Sequence, residues 1–183
     1  MPAVAWLLLL LPLLLAYPVR SWRDAPIFPT PGDALQGLDK LLPAPRRVLD
    51  AGCGLGHGLQ ALRAVWPQAR LQGVEWSPLW AWLAARRCAF AKVWRGDMWQ
   101  QGDWAEHDLV YLFQRPETMA RAWAKAEQEM APGSWLVSLE FEVPGQRPAA
   151  CLRVPGKRTV WVYRTKSGAA PAISASTVEA GSR

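Results

Sequence analysis

The feature that most constrains this chain is the run VLDAGCGLGHG, Val48 to Gly58, in which apolar residues lead directly into clustered glycines. The apolar part predicts a buried strand, Arg47 to Ala51, and the periodic stretch after the glycines, Leu59 to Trp66, predicts a helix. Glycines between a strand and a helix permit a tight turn and let a ligand approach the backbone. The free N–H groups at the start of the helix favour an anionic group in the same space.

The rest of the chain continues the alternation of strands and helices. We predict strands at 70–75, 92–95, 108–113 and 135–141, helices at 33–42, 78–87 and 117–130, and a closing hairpin at 150–154 and 159–163. Such alternation is typical of a parallel sheet with right-handed crossovers. The prediction is therefore an α/β fold: a Rossmann-like, seven-stranded sheet that ends in an antiparallel hairpin.

The N-terminal segment, residues 2–19, is uncharged and rich in leucine. Its length approaches the roughly 20 residues that cross a bilayer as a helix. A cleaved signal peptide is the alternative, but no Lys or Arg precedes the apolar run and no A-x-A site follows it. Arg20, Trp22 and Arg23 resemble interfacial anchors. We predict a transmembrane anchor that contacts lipid and leaves the following domain in the cytoplasm.

Composition and layout limit the other possibilities. Residues 20–45 form a proline-containing linker with a helix, residues 46–165 form the domain, and the Ala/Ser/Gly-rich tail, 166–183, is predicted to be disordered. The net charge of +6 permits an anionic partner, but the basic residues are scattered, so we predict no nucleic-acid partner. Three well-separated cysteines and two histidines favour neither a disulfide framework nor a metal site.

Acidic residues end three successive predicted strands. Asp50 and Glu75 are the last or nearly last residues of the first two strands, and Asp97 follows the third. Because the carboxyl ends of parallel strands meet at one edge of the sheet, we expect these acids to face one ligand. Glu75 can accept both hydroxyl protons of a ribose, and Trp76 can pack on an adenine face. The alternative is a solvated Glu beside a core Trp.

The spacing of the glycines distinguishes between ligands. The dinucleotide fingerprint G-x-G-x-x-G fails because His57 stands at its last position. The spacing G-x-G-x-G after an acid resembles the first motif of class I S-adenosylmethionine-dependent methyltransferases, although an ordinary glycine-rich turn is the alternative. The resemblance implies S-adenosyl-L-methionine as the cofactor. The cofactor-binding residues that we predict are Thr30, Asp50, Gly52, Cys53, Gly54, Gly56, Glu75, Trp76, Asp97 and Met98.

Several segments, taken in order, resemble the membrane-anchored lysine methyltransferases that act on the ATP synthase c-subunit and the adenine nucleotide translocase. They are PIFPT at 26–30, the glycine loop, EWSP at 75–78, DMW at 97–99, the residues after the fourth strand, and TVWVY at 159–163. Gln114 departs from this pattern, because that family commonly has glycine there. The resemblance implies methyl transfer to a lysine of a membrane protein. The amino-acid composition, rich in Ala, Arg, Trp and Pro, suggests a bacterium with a GC-rich genome and therefore a bacterial inner membrane.

The residues after the fourth predicted strand are expected to lie near the reacting methyl group. We predict that Phe113, Gln114 and Pro116 position the acceptor, whose amine must be neutral to react. Two other functions stay open at this stage: methylation of a small or lipid-soluble acceptor, and a non-catalytic protein that binds the cofactor.

Overall fold

The computed structural model describes residues 29–100, 103–165 and 177–179. One mixed sheet forms the centre of the fold, with the strand order β3-β2-β1-β4-β5-β7-β6-β8. Its strands are β1 Arg47–Ala51, β2 Arg70–Glu75, β3 Lys92–Arg95, β4 Leu109–Leu112, β5 Trp135–Leu139, β6 Ala150–Arg153, β7 Val160–Arg164 and β8 Thr177–Glu179. The first five strands are mutually parallel, and β7 is antiparallel to both of its neighbours.

Helices cover both faces of the parallel part of the sheet. They are α1 Leu38–Leu41, α2 His57–Val65, α3 Pro78–Arg87 and α4 Pro116–Glu129, with a 3₁₀ helix at Trp104–Glu106. The chain moves from β1 to β2 and β3 in one direction along the sheet and from β4 to β5 in the other. Right-handed crossovers then place α2 and α3 on one face and α4 on the opposite face. The two hydrophobic clusters of the core follow this division.

The strand order reverses between β1 and β4, which lie side by side. In open α/β sheets, ligands bind outside the carboxyl ends of the strands at such a point. Val48 and Leu49 of β1 are fully buried on opposite faces, so this strand is fixed by packing on both sides. The fold therefore holds the turn after β1 rigidly at the ligand-binding edge.

The predicted Rossmann-like sheet and its C-terminal hairpin are confirmed, and strands β1, β2 and β3 have the predicted bounds. An additional short strand, β8, pairs with β6. It lies in the tail that we predicted to be disordered, so that prediction is wrong for these three residues. Without β8, β6 would be an edge strand with unpaired N–H and C=O groups, which explains the added pairing.

The helix predicted at 33–42 is shorter than expected. Only Leu38–Leu41 is helical, and the residues before it form turns. Gly37 has φ 99°, a left-handed conformation that interrupts a right-handed helix at this point. Among the residues with described structure, no helix is long and apolar enough to cross a membrane. The predicted anchor, residues 2–19, lies outside the described residues.

Gly73 of β2 gives a test of the packing between this strand and the glycine turn. A Cβ atom at Gly73 would lie 2.9 Å from Cys53 Sγ and 3.0 Å from Leu59 Cδ1. Gly73→Ala should therefore lower the free energy of unfolding by about 1–3 kcal/mol, as overpacking of a core does. Urea denaturation measures this. Gly32→Ala is the matched control, because no atom lies within 4 Å of its added Cβ; equal stability of the two variants would contradict the packing.

Candidate active site

The glycine turn after β1 is held by backbone hydrogen bonds to β2. The N–H groups of Gly52 and Cys53 both donate to Val74 O, at 2.9 and 3.0 Å. Gly52 has φ 83°, and a Cβ atom there would lie 2.7 Å from Gln114 Nε2. Only glycine satisfies both the left-handed backbone and the close approach. The turn thus leaves its backbone open towards the residues that follow β4.

Glu75, the last residue of β2, joins this turn to the start of α3. Its Oε2 accepts from Gly54 N at 2.9 Å, and its Oε1 accepts from Ser77 N at 2.8 Å. Burial raises the pKa of the Glu75 carboxyl, and the two N–H donors oppose that rise. Each carboxylate oxygen has a second lone pair, so the group can still accept from the two hydroxyls of a ribose.

Asp50 lies beneath the turn, against the first residues of α2. Its side chain is buried, and its Oδ2 has no hydrogen-bond partner within the described structure. Burial and, second, the negative charge of Glu75 raise the pKa of Asp50 to about 8, although the Leu59 N–H opposes the rise. An unpartnered buried carboxyl is costly, and a nearby cationic ligand would relieve that cost. This site therefore fits the cationic sulfonium and ammonium groups of S-adenosylmethionine.

Tyr111 of β4 is the neighbour of Asp50 across the sheet. Its hydroxyl lies 2.8 Å from the hydroxyl of Thr30, and the two groups share a hydrogen bond. Both side chains are buried, and burial raises the pKa of the Tyr111 phenol. Thr30, which we predicted to bind the cofactor, is thus brought to the carboxyl edge of the sheet through Tyr111.

The loop after β3 closes another side of the same edge. Gly96 N donates to Glu75 O at 2.9 Å, which ties this loop to the end of β2. Asp97 Oδ1 accepts from Trp99 N at 2.9 Å, so its carboxylate folds over its own loop. Met98 is buried, with its Sδ 3.5 Å from Gln114 Nε2. Trp76 is half-buried directly after Glu75.

Gln114 lies two residues after the end of β4, and its side chain is buried. Its Nε2 donates to Ala51 O at 3.4 Å and faces the Met98 thioether. Both of these partners are acceptors, which fixes the orientation of the amide. Its Oε1 is buried and has no hydrogen-bond partner among the residues described. The Gln114 side chain therefore places its Nε2 towards Gly52 and leaves its Oε1 as an unpartnered acceptor oxygen.

An aromatic and charged cluster lies next to Gln114 in the chain. The rings of Phe113 and Phe141 stack with their centroids 6.4 Å apart. The Arg158 guanidinium lies 5.3 Å from the Phe113 ring centroid and forms an ion pair with Glu140. Sequence reasoning missed Arg158 and Glu140. The register between β5 and β7 could have indicated them, because Leu139 pairs with Val160 and brings the residues beyond them together.

The structure brings most of the predicted site residues to one edge of the sheet. Those at or beside the edge are Thr30, Asp50, Gly52, Gly54, Glu75, Trp76, Asp97, Met98, Phe113 and Gln114. The other three predicted residues make the following contacts.

Cys53, Gly56 and Pro116 have structural roles. The Cys53 thiol turns inward against Gly73, and burial raises its pKa. Gly56 permits close packing against α3, since a Cβ there would lie 2.6 Å from Cys88 Sγ. Pro116 is exposed at the first position of α4, where its fixed φ suits the start of a helix.

Solved structures of methyltransferases share this fold. An RNA methyltransferase from Salinibacter ruber in complex with S-adenosyl-L-homocysteine superposes with a TM-score of 0.68 and 20% identity, over 79% of this chain and 97% of that one. A TehB-like S-adenosylmethionine-dependent methyltransferase from Corynebacterium glutamicum gives a TM-score of 0.54 and 18% identity, over 74% and 88%. The fold is that of class I methyltransferases.

Sequence comparison identifies the family within this class. The ANTKMT methyltransferase domain matches residues 50–150, more than half of the chain, so the chain belongs to the ANTKMT methyltransferase domain family. The matching model describes a methyltransferase domain. Trans-aconitate 2-methyltransferase from Mycobacterium sp. (strain KMS) is 35% identical over 109 residues, which are 56% of this chain. The match spans 39% of that relative's length.

The raised pKa of Asp50 predicts a specific dependence of stability on pH. The folded protein keeps the Asp50 proton up to about pH 8, whereas the unfolded chain loses it near pH 3.9, the ordinary value. Stability from this group is therefore present at low pH and is lost as the pH rises towards 8, by at most roughly 1.4 kcal/mol per pH unit. Urea denaturation across this range should show that Asp50→Asn removes this part of the slope; parallel curves for both proteins would contradict the buried, protonated carboxyl.

Proposed function

We propose that this methyltransferase methylates the side-chain nitrogen of a lysine in a membrane protein. The observation that carries the proposal is the buried, unpartnered Oε1 of Gln114, a residue whose amide group lies against Gly52. A neutral amine keeps N–H groups that can donate to this oxygen, which would direct the nitrogen lone pair away from it. An oxygen acceptor that reacts as an anion has no N–H to offer and would be repelled by the amide oxygen.

The residues at the sheet edge divide the work of holding the cofactor. Glu75 would bind the ribose, and the loop with Asp97 and Met98 would receive the adenine. Asp50, which is protonated without the cofactor, would lose its proton when the cationic cofactor binds beside it. S-adenosylmethionine supplies a methyl group on a cationic sulfur, ready for displacement by a nucleophile. The protein's own task is then to position the acceptor and to exclude water.

The surroundings of Gln114 favour the neutral form of the acceptor amine. A free lysine has a pKa of about 10.4, so its deprotonation at pH 7 costs about 4–5 kcal/mol. The stacked rings of Phe113 and Phe141 form an apolar wall beside Gln114. A low dielectric lowers the pKa of an amine. This wall supports an amine acceptor that arrives neutral.

A small acid, the acceptor that the name of the mycobacterial relative implies, is less well supported. Binding several carboxylates requires cations that are available to them. The guanidinium nearest to Phe113 that the described contacts include is Arg158, which is already paired with Glu140. Only 39% of that relative's length matches this chain, so its substrate-binding parts need not be shared.

The membrane part of the proposal rests on the sequence. Residues 2–19 are uncharged and leucine-rich, with Arg20 and Arg23 directly after them. Such a segment would anchor the enzyme in a bacterial inner membrane with the methyltransferase domain in the cytoplasm. An anchored enzyme meets membrane proteins at high effective concentration, which supports an acceptor of that kind.

A methyl-labelling experiment can identify the class of methyl acceptor directly. Membranes from cells that lack this chain should be incubated with the full-length protein and methyl-labelled S-adenosylmethionine. We expect label in a protein band, and mass spectrometry should locate it on a lysine. Label in the lipid extract or in the soluble acids would contradict the proposal, as would labelled protein in which the methyl group is an alkali-labile ester.

Gln114→Leu tests the role of the amide in the same assay. Leucine keeps much of the volume but removes the oxygen that would orient the acceptor, so the initial rate of methyl incorporation should fall by about ten- to a hundredfold. The affinity for S-adenosylmethionine should change little. Gln146→Leu, at an exposed position, is the matched control. A full rate in Gln114→Leu would contradict the assigned role.

A further inference from the structure

Large apolar side chains face solvent on one helix of this fold. All five exposed large hydrophobic residues in the described parts of the chain lie on α3 or in the turn after it. They are Leu79, Trp80, Trp82, Leu83 and Phe90, with exposures of 50%, 37%, 52%, 37% and 39%. A contiguous apolar surface of this kind on a folded domain marks a contact with another molecule or with a membrane.

The helix itself is apolar on both sides. Its small residues, Ala81 and Ala84, face the core, where they permit close packing on the sheet. Its large residues Leu79, Trp82 and Leu83 have the spacing i, i+3, i+4 and share the outward side. Core packing therefore does not account for them, since the largest apolar groups of α3 point away from the core.

The surface around this helix is strongly cationic. Between Ala51 and Gly96 the chain has six Lys or Arg residues and a single acid, Glu75, which is buried. The Arg86 guanidinium lies 4.5 Å from the Trp82 ring centroid, and that of Arg63 lies 5.5 Å from the Phe90 ring centroid. The outward side of α3 thus combines aliphatic and aromatic groups with a rim of positive charge.

We propose that this surface, the α3 face, docks on an anionic lipid bilayer. Trp82, Leu79 and Leu83 would enter the boundary between headgroups and acyl chains, where tryptophan is favoured. Arg63 and Arg86 would lie at the level of the lipid phosphates. This docking surface is separate from the predicted N-terminal anchor and does not depend on the identity of the methyl acceptor.

Charge and side-chain type select the bilayer over other partners. Two copies of the α3 face would bring their arginines together, and like charges across an interface oppose association. Nucleic acid would satisfy the arginines and could stack on the tryptophans, but it offers no apolar volume for Leu79 and Leu83. An anionic bilayer satisfies both parts of the surface at once.

The position of the α3 face also has a consequence for the enzyme. Ser77 caps the start of helix α3, and its N–H donates to Glu75. The Trp80 ring lies 3.8 Å from a Cβ placed on Gly54. One end of the docking surface is therefore beside the cofactor site. Docking through α3 would hold the cleft near the bilayer surface.

A probe on the helix can test this in the full-length protein. Leu83→Cys would carry an NBD fluorophore in a Cys151→Ser background, because Cys53 and Cys88 are buried and Cys151 is partly accessible. The matched control is Ala120→Cys, exposed on α4 at the opposite face of the sheet. Both labelled proteins would be reconstituted into vesicles of phosphatidylcholine, with or without phosphatidylglycerol. Insertion of the N-terminal segment would be common to all samples.

In vesicles that contain phosphatidylglycerol, we expect the probe at position 83 to shift to the blue. Lipids with a doxyl group near the headgroup should quench it several-fold more than the probe at position 120. Phosphatidylcholine alone should give a smaller effect, and Arg63→Gln with Arg86→Gln should reduce the effect in anionic vesicles towards that level.

Four results would overturn the proposal. The probe at position 83 could be as exposed to water as the probe at position 120 in anionic vesicles. Its shielding could be equal in both kinds of vesicle and rise with protein concentration, which would indicate a second copy. Equal shielding without such a rise would indicate another segment of the same chain. Shielding by an RNA oligonucleotide, with no response to anionic lipid, would indicate nucleic acid.

Discussion

The site depends on the two hydrogen bonds that the Glu75 carboxylate accepts from Gly54 N and Ser77 N, at 2.9 and 2.8 Å. The glycine turn has few side chains with which to pack, so its shape is determined by backbone groups and their partners. A carboxylate accepts N–H bonds more strongly than a neutral oxygen does, and burial strengthens the interaction further. One side chain thereby fixes the turn after β1, the start of α3 and the end of β2. The cofactor edge exists because these three elements meet there.

The same edge contains polar groups whose needs are not met within the described protein. Asp50 Oδ2 and Gln114 Oε1 are both buried without hydrogen-bond partners among the described residues. Unpaired buried groups destabilise a fold, so their presence at a ligand edge indicates partners from outside the chain. Asp50 suits the positive charge of the cofactor, and Gln114 suits an N–H donor. The chemistry of the two groups matches the two molecules that a methyltransferase must bring together.

The sequence predicted the sheet well because strand and helix periods, proline at helix starts and the glycine turn are local signals. It predicted Asp50, Glu75 and Gln114 as site residues because parallel strands end at one edge. It could not predict that Cys53 turns inward, because either side of the turn could receive a small side chain. The ion pair of Arg158 with Glu140 joins the hairpin to the end of β5. Predicting this pair requires the register of the strands, which local sequence patterns do not determine. Local patterns also do not show which side of α3 faces solvent; the burial of Ala81 and Ala84 identifies its inner side and leaves its tryptophans outside.

Calorimetric titration with S-adenosylmethionine of the unmodified protein and of Glu75→Gln tests the central claim most directly. The amide keeps the shape of Glu75 but places an NH₂ group against one of the two N–H donors. Thermal unfolding should show that the variant is folded, and Glu142→Gln, at an exposed position, is the matched control. We predict that the affinity of Glu75→Gln falls roughly tenfold or more, as expected when hydrogen bonds to a charged group are lost. A folded Glu75→Gln protein that binds the cofactor as tightly as the control would contradict the account.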